Sequence, residues 1–319
     1  MSKRLFKPAW WLPGPHLQTL WPTLCRKNIR NLELERERLE LPDGDFVDLD
    51  WVGKSGPIVI ILHGLEGSVH SPYAQGMLHA IVGQGWRGLF IHFRGCSGEP
   101  NRLPRSYHSG ETQDLAWVVQ AILKREPQIP IAAVGFSLGG NVLLKWLGET
   151  GSNNPLAAAV GVSVPFELTK ASKHIQRGFS KLYQWHLLRC IRRRLKEKFA
   201  YQTLVLPYKS LQNVKTLWEL DDIFTAPVHG FSSVDEYYSL SSSRQYLGKI
   251  CVPTLLVQSK DDPFYSQDLL PNSHELSKQI QLELTTSGGH VGFISGNIPG
   301  RSEYWLEKRV PEFFKAYFK

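Results

Sequence analysis

The most informative part of this sequence is Val134-Gly135-Phe136-Ser137-Leu138-Gly139-Gly140. An apolar run at 131–134 precedes it and a helix-forming run at 141–147 follows, so a buried strand is expected to turn abruptly into a helix. The central residue of such a turn adopts a strained backbone conformation, and side chains on the flanking residues would collide with the strand or the helix. Gly135 and Gly139 avoid that collision. The pattern predicts a nucleophile elbow that presents the Ser137 hydroxyl.

Activation of the Ser137 hydroxyl requires a histidine base and a carboxylate that orients the base, in the chain order serine, acid, histidine. Two adjacent carboxylates, Asp261 and Asp262, follow an apolar run at 252–258 that is typical of a buried parallel strand. We favour Asp262 as the acid because it directly precedes a proline at the turn. Asp261 remains the alternative, and the carboxylate that does not act is expected to be solvated.

The predicted base is His290. It lies in the glycine-rich segment 287–293, directly after an apolar strand predicted at 280–284. A single histidine is often a structural residue bonded to a backbone carbonyl. The position after a strand and the chain order favour a catalytic role here.

An oxyanion hole is predicted from two backbone N–H groups. One belongs to Leu138, directly after the elbow serine, and the other to Leu65, in the glycine-flanked turn 63–67 that follows the apolar strand 58–62. Such a pair stabilises the negative charge that develops on the carbonyl oxygen during attack. The loss of one donor costs about 3 kcal/mol of transition-state stabilisation.

Two other residues of this turn are assigned supporting roles. His63 is expected to brace the turn by hydrogen bonding, since the sequence offers no partner ligands for a metal at suitable spacing. Glu66 is expected either to pair with Arg94 on the neighbouring loop or to be solvated. No metal ion and no cofactor is predicted.

Further stretches of the chain resemble α/β-hydrolases, and specifically the YheT group of bacterial hydrolases. The stretches that carry the resemblance are Pro15-His16-Leu17-Gln18-Thr19, residues 41–49, His63-Gly64-Leu65-Glu66-Gly67, residues 92–101 and 108–112, Gly135 to Asn141, Asp261-Asp262-Pro263-Phe264 and Gly288-Gly289-His290-Val291-Gly292-Phe293. The resemblance covers nearly the whole chain. It implies serine carboxylesterase or lipase-like activity, and eukaryotic relatives of the group are associated with medium-chain acyl esters and phospholipids. The N-terminal membrane anchor of those relatives is not expected here.

The order of predicted elements indicates the fold class. A coarse reading of the sequence predicts eight strands, near 37–41, 46–52, 58–63, 88–93, 131–136, 157–164, 254–258 and 280–286. Helices are predicted between them near 72–84, 111–125, 138–149 and 303–318, and the helix near 111 is expected to open at Ser109. Alternating strands and helices imply a parallel sheet covered on both faces. The sequence therefore predicts a single α/β-hydrolase domain, residues 1–319, with a mostly parallel eight-stranded sheet flanked by helices.

Two segments are expected to add to this domain. A helical lid insertion is predicted over 166–250, with a long helix that carries an apolar residue at every fourth position: Phe179, Tyr183, Leu187, Ile191, Leu195 and Phe199. An N-terminal apolar arm is predicted over 1–34, extended rather than helical at 8–17 because this stretch is rich in proline. The arm either covers the acyl pocket or seals the core beneath the lid, and we favour the core.

The positive charge of the chain is concentrated in the predicted lid. Residues 170–200 contain ten lysines and arginines against Glu197 alone, a net charge of +9, whereas the whole chain carries +8. A solvated helix face is the simpler explanation. The alternative is attraction of an anionic amphiphile or an acidic membrane surface. Nucleic acid is not expected as a partner, because the chain has no recognised binding motif.

Composition favours a globular protein of the cytoplasm. With 319 residues and 42% apolar content the chain can bury a substantial core, and its four cysteines lack the paired spacing of disulfides or zinc ligands. Residues 1–8 lack the apolar segment of a signal peptide, and no stretch approaches the ~18 consecutive apolar residues that span a bilayer. A cytoplasmic location is predicted, with peripheral contact to the inner membrane left open.

The predicted function is hydrolysis of carboxylic esters through an acyl-enzyme on Ser137, in the manner of an esterase or lipase. The expected substrates are short- to medium-chain acyl esters, or amphiphiles such as acylglycerols and phospholipids. An acyltransferase with the same three residues is the alternative, because an alcohol can replace water if the lid keeps the pocket dry. A non-catalytic binding protein is a more distant alternative, and the oligomeric state is left open.

Overall fold

A single eight-stranded sheet lies at the centre of the structure, a computed structural model that describes residues 6–26, 32–200 and 208–318. Its strands are β1 (Glu35–Glu40), β2 (Phe46–Val52), β3 (Ile58–Leu62), β4 (Arg87–Ile91), β5 (Ile131–Phe136), β6 (Ala158–Val162), β7 (Thr254–Ser259) and β8 (Ile280–Thr285). Their spatial order is β1-β2-β4-β3-β5-β6-β7-β8. Strand β2 is antiparallel to both neighbours, and all pairs from β4 to β8 are parallel. The predicted mostly parallel sheet is confirmed.

One helix precedes these strands, and the others lie between and after them. In chain order they are α1 (Pro15–Cys25), α2 (Pro72–Val82), α3 (Gln113–Arg125), α4 (Leu138–Thr150), α5 (Leu168–His174), α6 (Ser180–Phe199), α7 (Tyr208–Gln212), α8 (Leu217–Leu220), α9 (Ala226–Val228), α10 (Val234–Ser241) and α11 (Leu306–Phe314). A π-helical turn, Asp221–Thr225, joins α8 to α9, and a short hairpin pairs β9 (Ile294–Ser295) with β10 (Glu303–Tyr304).

Both faces of the sheet are covered, as the buried residues of β3 illustrate. Ile58, Ile60 and Leu62 belong to the apolar cluster that contains α3 and α4. Val59 and Ile61 belong to the cluster on the other face, with α2 and α11. A strand buried on both faces needs a continuous apolar sequence rather than an alternating one.

Helix α3 begins at Gln113, so the prediction that it opens at Ser109 is wrong. The backbone of Ser109 bonds to other elements instead: its N–H donates to the Tyr237 hydroxyl (2.9 Å), and its carbonyl accepts from the Asn141 side chain (2.8 Å). These long-range bonds hold residues 109–112 outside the helix.

Helices α5 to α10 all lie between β6 and β7, within the segment 166–250, which we call the helical insertion. In α6 the apolar residues spaced by four do not form one straight stripe. Phe179 is 47% exposed, Tyr183 and Leu187 are half-buried, and only Ile191 and Leu195 are buried. An α-helix has 3.6 residues per turn, so a spacing of four advances by about 40° at each step and the set winds around the helix.

The stretch 8–17 was expected to be extended; residues 8–14 are not helical, but a helix begins within its last three residues. Helix α1 starts at Pro15, a position at which proline is tolerated because the first N–H groups of a helix have no intrahelical acceptor. The buried side chain of Gln18 anchors α1 to the hairpin strand β9: its Oε1 accepts from Ile294 N–H (2.7 Å), and its Nε2 donates to the Ile294 carbonyl (3.2 Å). The segment therefore packs against the chain that follows His290.

Some predictions concern residues outside the described part of the chain. They concern residues 1–5, where a signal peptide is not expected, residues 27–31 of the predicted arm, and residues 201–207 of the predicted insertion. Within the described ranges, no helix is both long and apolar enough to cross a bilayer. In those same ranges no group of three or more His, Cys, Asp or Glu side chains is arranged to hold a metal ion.

Candidate active site

The turn between β5 and α4 has the geometry of the predicted elbow. Ser137 has a φ of 51°, in the left-handed region that residues other than glycine rarely adopt. A Cβ on Gly135 would lie 2.5 Å from the carbonyl oxygen of Gly139, and one on Gly139 would lie 2.4 Å from that of Leu62. Backbone atoms cause both contacts, so glycine is sterically required at both positions.

Hydrogen bonds connect Ser137, His290 and Asp262. His290 Nε2 lies 3.0 Å from Ser137 Oγ, and His290 Nδ1 lies 2.9 Å from Asp262 Oδ2. The Asp262 side chain is fully buried. If Nδ1 donates its proton to the carboxylate, Nε2 is free to accept the serine proton. The structure brings the three side chains together within the range that proton transfer requires.

Asp261 is not simply solvated, contrary to the expectation for the second carboxylate. Its Oδ1 accepts hydrogen bonds from the N–H of Gly289 (3.0 Å) and from the hydroxyl of Ser259. It therefore ties the loop after β7 to the loop that carries His290. The two adjacent carboxylates thus face different partners.

Two residues that the sequence argument did not assign to the site also position His290. The Phe264 ring stacks on the imidazole, with ring centroids 3.8 Å apart and planes 15° apart. Thr19 Oγ1 accepts a hydrogen bond from the N–H of His290 (2.9 Å) and donates to the carbonyl of Pro15 (2.7 Å). Both residues lie in stretches that carry the resemblance to the YheT group, and this resemblance is the sequence feature from which their role could have been predicted.

Leu65 and Leu138 line the same cavity as Ser137. Leu138 is the first residue of α4, so its N–H has no acceptor within the helix. Neither this N–H nor that of Leu65 bonds to an acceptor within the described part of the chain. A Cβ on Gly64 would lie 3.3 Å from Ser137 Cβ, which shows how closely the turn approaches the serine. Two unpaired N–H donors beside a nucleophile are suited to bind an oxyanion.

His63 braces this turn through both ring nitrogens. Its Nδ1 donates to the carbonyl of Gly64 (2.6 Å), and its Nε2 accepts from the N–H of Phe93 (3.1 Å). Burial lowers the pKa of His63 to about 3, so the ring is neutral near pH 7. The ring therefore joins the turn after β3 to the turn after β4.

Glu66 neither pairs with Arg94 nor is simply solvated, which were the two predicted alternatives. Its Oε1 accepts from Arg194 Nε of helix α6 (2.9 Å) and from the Tyr107 hydroxyl (2.9 Å), and its own N–H donates to that hydroxyl (2.9 Å). Arg94 instead forms a buried ion pair with Asp114. Glu66 has a φ of 55°, so the network holds a strained turn next to Leu65.

The basic residues of α6 divide into two groups: Arg189, Arg193 and Lys196 are exposed, whereas others bond within the protein. Lys198 is 1% exposed and donates to a backbone carbonyl, and burial lowers its pKa to about 8. Arg192 donates to two backbone carbonyls in the segment 211–214. Arg194, the partner of Glu66, is partly buried, with a side chain that is 15% exposed. The charge predicted for segment 170–200 is therefore only partly at the surface, and the choice between a solvated face and an attracting one concerns the exposed residues.

Two cavities meet at Ser137 and His290. The inner cavity has a volume of about 140 Å³. The helical insertion supplies most of its apolar lining, namely Leu168, Ile175, Leu187, Ile191, Leu217, Leu220 and Phe224. Asp221 also lines it, and its carboxylate accepts hydrogen bonds from Thr225 (2.6 Å) and Tyr238 (2.8 Å).

The outer cavity, of about 270 Å³, lies between α1 and α6. Thr19, Pro22 and Thr23 line it on one side, and His186 and Leu187 on the other. It opens to solvent at Thr23 and His186, which are both exposed. A substrate can therefore reach Ser137 between these two helices.

Comparison with known proteins supports the predicted class. A family model of the alpha/beta hydrolase fold matches residues 57–297. The chain is 42% identical to the Escherichia coli protein named "Putative esterase YheT", with 100% of this chain and 95% of that protein aligned. It is 28% identical to the phospholipase ABHD3 of Mus musculus, over 89% of this chain and 72% of that protein.

A solved structure of similar shape is the Pyrococcus furiosus esterase Pf2001. It matches with a TM-score of 0.59 over 100% of both chains, at 18% sequence identity. At this identity the likeness concerns the fold alone. The predicted α/β-hydrolase fold is confirmed, and the names of the relatives agree with the predicted class of enzyme.

Proposed function

Because the chain belongs to the α/β-hydrolase fold family, and within it to the YheT group, we propose that it hydrolyses carboxylic esters through a Ser137–His290–Asp262 triad. The observation that carries this proposal is the continuous hydrogen-bonded chain from Asp262 through His290 to Ser137, at the meeting point of two cavities. The esterase and phospholipase names of relatives support the same class of reaction.

The proposed reaction has two halves. Ser137 Oγ attacks the ester carbonyl carbon while His290 Nε2 takes the hydroxyl proton, and the N–H groups of Leu65 and Leu138 bind the oxyanion. The imidazolium, stabilised by Asp262, then protonates the departing alcohol and leaves an acyl-enzyme. In the second half His290 takes a proton from water, which attacks the acyl group. The carboxylic acid leaves, and the proton returns to Ser137.

The two cavities suggest how a substrate is placed. We assign the acyl chain to the inner cavity because its lining is mainly apolar, and the leaving alcohol to the open outer cavity. This assignment favours acyl esters of short to medium length, including acylglycerol-like or phospholipid-like amphiphiles. A panel of p-nitrophenyl esters with increasing acyl length would locate the limit as a fall in kcat/KM.

Acyl transfer to an alcohol uses the same acyl-enzyme and remains the first alternative. A non-catalytic binding role is a more distant alternative. Repeating the ester panel with an added alcohol distinguishes transfer from hydrolysis through the product formed. The cytoplasmic location, with peripheral membrane contact, also remains part of the proposal.

The nucleophile can be tested directly. A fluorophosphonate probe should label Ser137, and Ser137→Ala should lose both labelling and ester turnover while keeping its melting temperature. Ser152→Ala, at an exposed serine on another turn, should behave as the unmodified protein. Unchanged turnover by purified Ser137→Ala would disprove the proposed mechanism.

A further inference from the structure

Exposed apolar side chains are concentrated in the two segments of the chain that flank the outer cavity. Of the eleven large apolar residues exposed in the described part of the chain, six lie in the two short stretches 10–24 and 179–185. Isolated exposed apolar residues are normal, but a group of them at the entrance to a site marks a contact surface.

Helix α6 has a solvent face that changes character along its length. Leu182 (55% exposed) and Trp185 (57% exposed) lie on its first turns. Arg189, Arg193 and Lys196 follow at helical spacing on the same face and are all exposed. This face lies opposite the buried residues Gln184, Leu188, Ile191 and Leu195. The solvent face is therefore apolar beside the site and basic beyond it.

Helix α1, which lines the other side of the outer cavity, carries two more exposed leucines. Leu17 (46% exposed) and Leu24 (73% exposed) are seven residues apart and so share one face of α1. Contacts of His16 hold α1 against α6: its ring lies 4.3 Å from that of Phe179, and its Nδ1 lies 3.1 Å from the Tyr183 hydroxyl.

We propose that these two helix faces dock the protein on an anionic lipid bilayer, with the outer cavity facing the membrane. We call the surface formed by Leu17, Leu24, Phe179, Leu182, Trp185, Arg189, Arg193 and Lys196 the docking surface. Its apolar part enters the interfacial region, where tryptophan is favoured, and its basic part is attracted to anionic headgroups. The complementarity of charge selects an anionic bilayer rather than a neutral one.

This inference deepens the proposed function and rests on it, since an ester that is dissolved in water needs no docking surface. An amphiphilic ester in a bilayer would enter between α1 and α6 and reach Ser137 without crossing water. The docking residues are distinct from the partly buried Arg194 and the buried Lys198, which bond within the protein.

The experiment measures binding to vesicles with the hydrolytically inactive Ser137→Ala protein, so the lipid is not consumed. Two compositions serve as probes: phosphatidylcholine alone, and phosphatidylcholine with one quarter phosphatidylglycerol. We expect at least tenfold tighter binding to the anionic vesicles, which should weaken with added salt because surface attraction is screened over about 8 Å at physiological ionic strength.

Three further variants identify the surface. Adding Leu182→Gln with Trp185→Gln should weaken binding to anionic vesicles at least tenfold. Adding Arg189→Gln with Arg193→Gln should remove the preference for anionic lipid. The matched control is Leu240→Gln, since Leu240 is 48% exposed on helix α10 of the same insertion and lines neither cavity. In the background with Ser137 intact, all three should hydrolyse a soluble short-chain ester at the normal rate.

The outcomes separate this inference from the proposed function. If vesicle binding behaves as expected but Ser137 proves inactive, the docking surface stands and the hydrolase proposal fails. If esters are hydrolysed while the docking and control variants bind vesicles equally, the docking surface is disproved. A wild-type dimer in analytical ultracentrifugation that dissociates in the Leu182→Gln, Trp185→Gln variant would also overturn it, because the apolar surface would then contact a second copy.

Discussion

His290 makes a different contact at each ring nitrogen, at its backbone N–H and on its ring face. Its Nε2 bonds to Ser137, its Nδ1 to Asp262, its backbone N–H to Thr19, and its face to Phe264. Such positioning matters because a general base must hold both the correct tautomer and the correct direction toward the proton it accepts. The ring itself needs only one carboxylate, so the roles of the two adjacent aspartates should separate in experiment.

We expect Asp262→Asn to lower kcat by several orders of magnitude, about 10⁴-fold in the best-studied triad, because an amide would favour the wrong histidine tautomer. Asp261→Asn keeps a side-chain oxygen for the N–H of Gly289 and should reduce kcat less than tenfold. Steady-state kinetics with a soluble ester checks both variants. The opposite ranking would make Asp261 the acid.

The contact between α6 and the turn after β3 links the helical insertion to the candidate oxyanion hole. Arg194 Nε bonds to Glu66, Arg194 Nη1 bonds to the Ser106 hydroxyl (2.8 Å), and the guanidinium lies over the Tyr107 ring, 5.1 Å from its centroid. Because Glu66 directly follows Leu65, movement of α6 would displace the Leu65 N–H. We therefore expect Arg194 to act as a positioning residue for that donor.

Replacement of Arg194 by methionine should therefore lower kcat about tenfold or more while leaving KM nearly unchanged, since oxyanion binding is felt mainly in the transition state. Arg193→Met, at the exposed neighbouring position, is the control and should retain full activity. Kinetics on a short-chain ester separates kcat from KM. A rise in KM with normal kcat would instead assign Arg194 to substrate binding.

For the molecule as a whole, the cavity between sheet and insertion contains an ionisable group that makes stability depend on pH. Burial raises the pKa of Asp221 to about 6, above its unfolded value of about 3.8. A raised pKa in the folded state means that the folded protein binds the proton more tightly. The contribution of Asp221 to stability is therefore complete at low pH, declines between about pH 4 and pH 6, and is absent above.

We expect the melting temperature of Asp221→Asn to rise relative to that of the unmodified protein as the pH increases from 4 to 7, because the amide cannot ionise. Asp222→Asn, at the adjacent residue that does not line the inner cavity, should show no such relative change. Thermal unfolding of the three proteins at both pH values gives the comparison. A constant difference between Asp221→Asn and the unmodified protein would show that Asp221 does not titrate in this range.

Local sequence was sufficient for the strands and the elbow. All eight strands occur within three residues of their predicted bounds. The central strands, such as β3 and β5, were recognisable because a strand buried on both faces must be a continuous apolar run. The requirement for Gly135 and Gly139 is also local, since the backbone of a tight strand-to-helix turn excludes a Cβ. The chain order of serine, acid and histidine selected three residues that the fold brings within hydrogen-bonding distance.

Long-range contacts determined what the sequence left open or predicted wrongly. Which aspartate faces His290, and the pairing of Glu66 with Arg194 rather than Arg94, depend on where separate loops meet in space. Helix α1 is another case, because Gln18 is anchored by a hairpin strand more than 270 residues further along the chain. Spacing along the sequence carries no information about such partners, since their proximity results from the packing of elements that are distant in the chain.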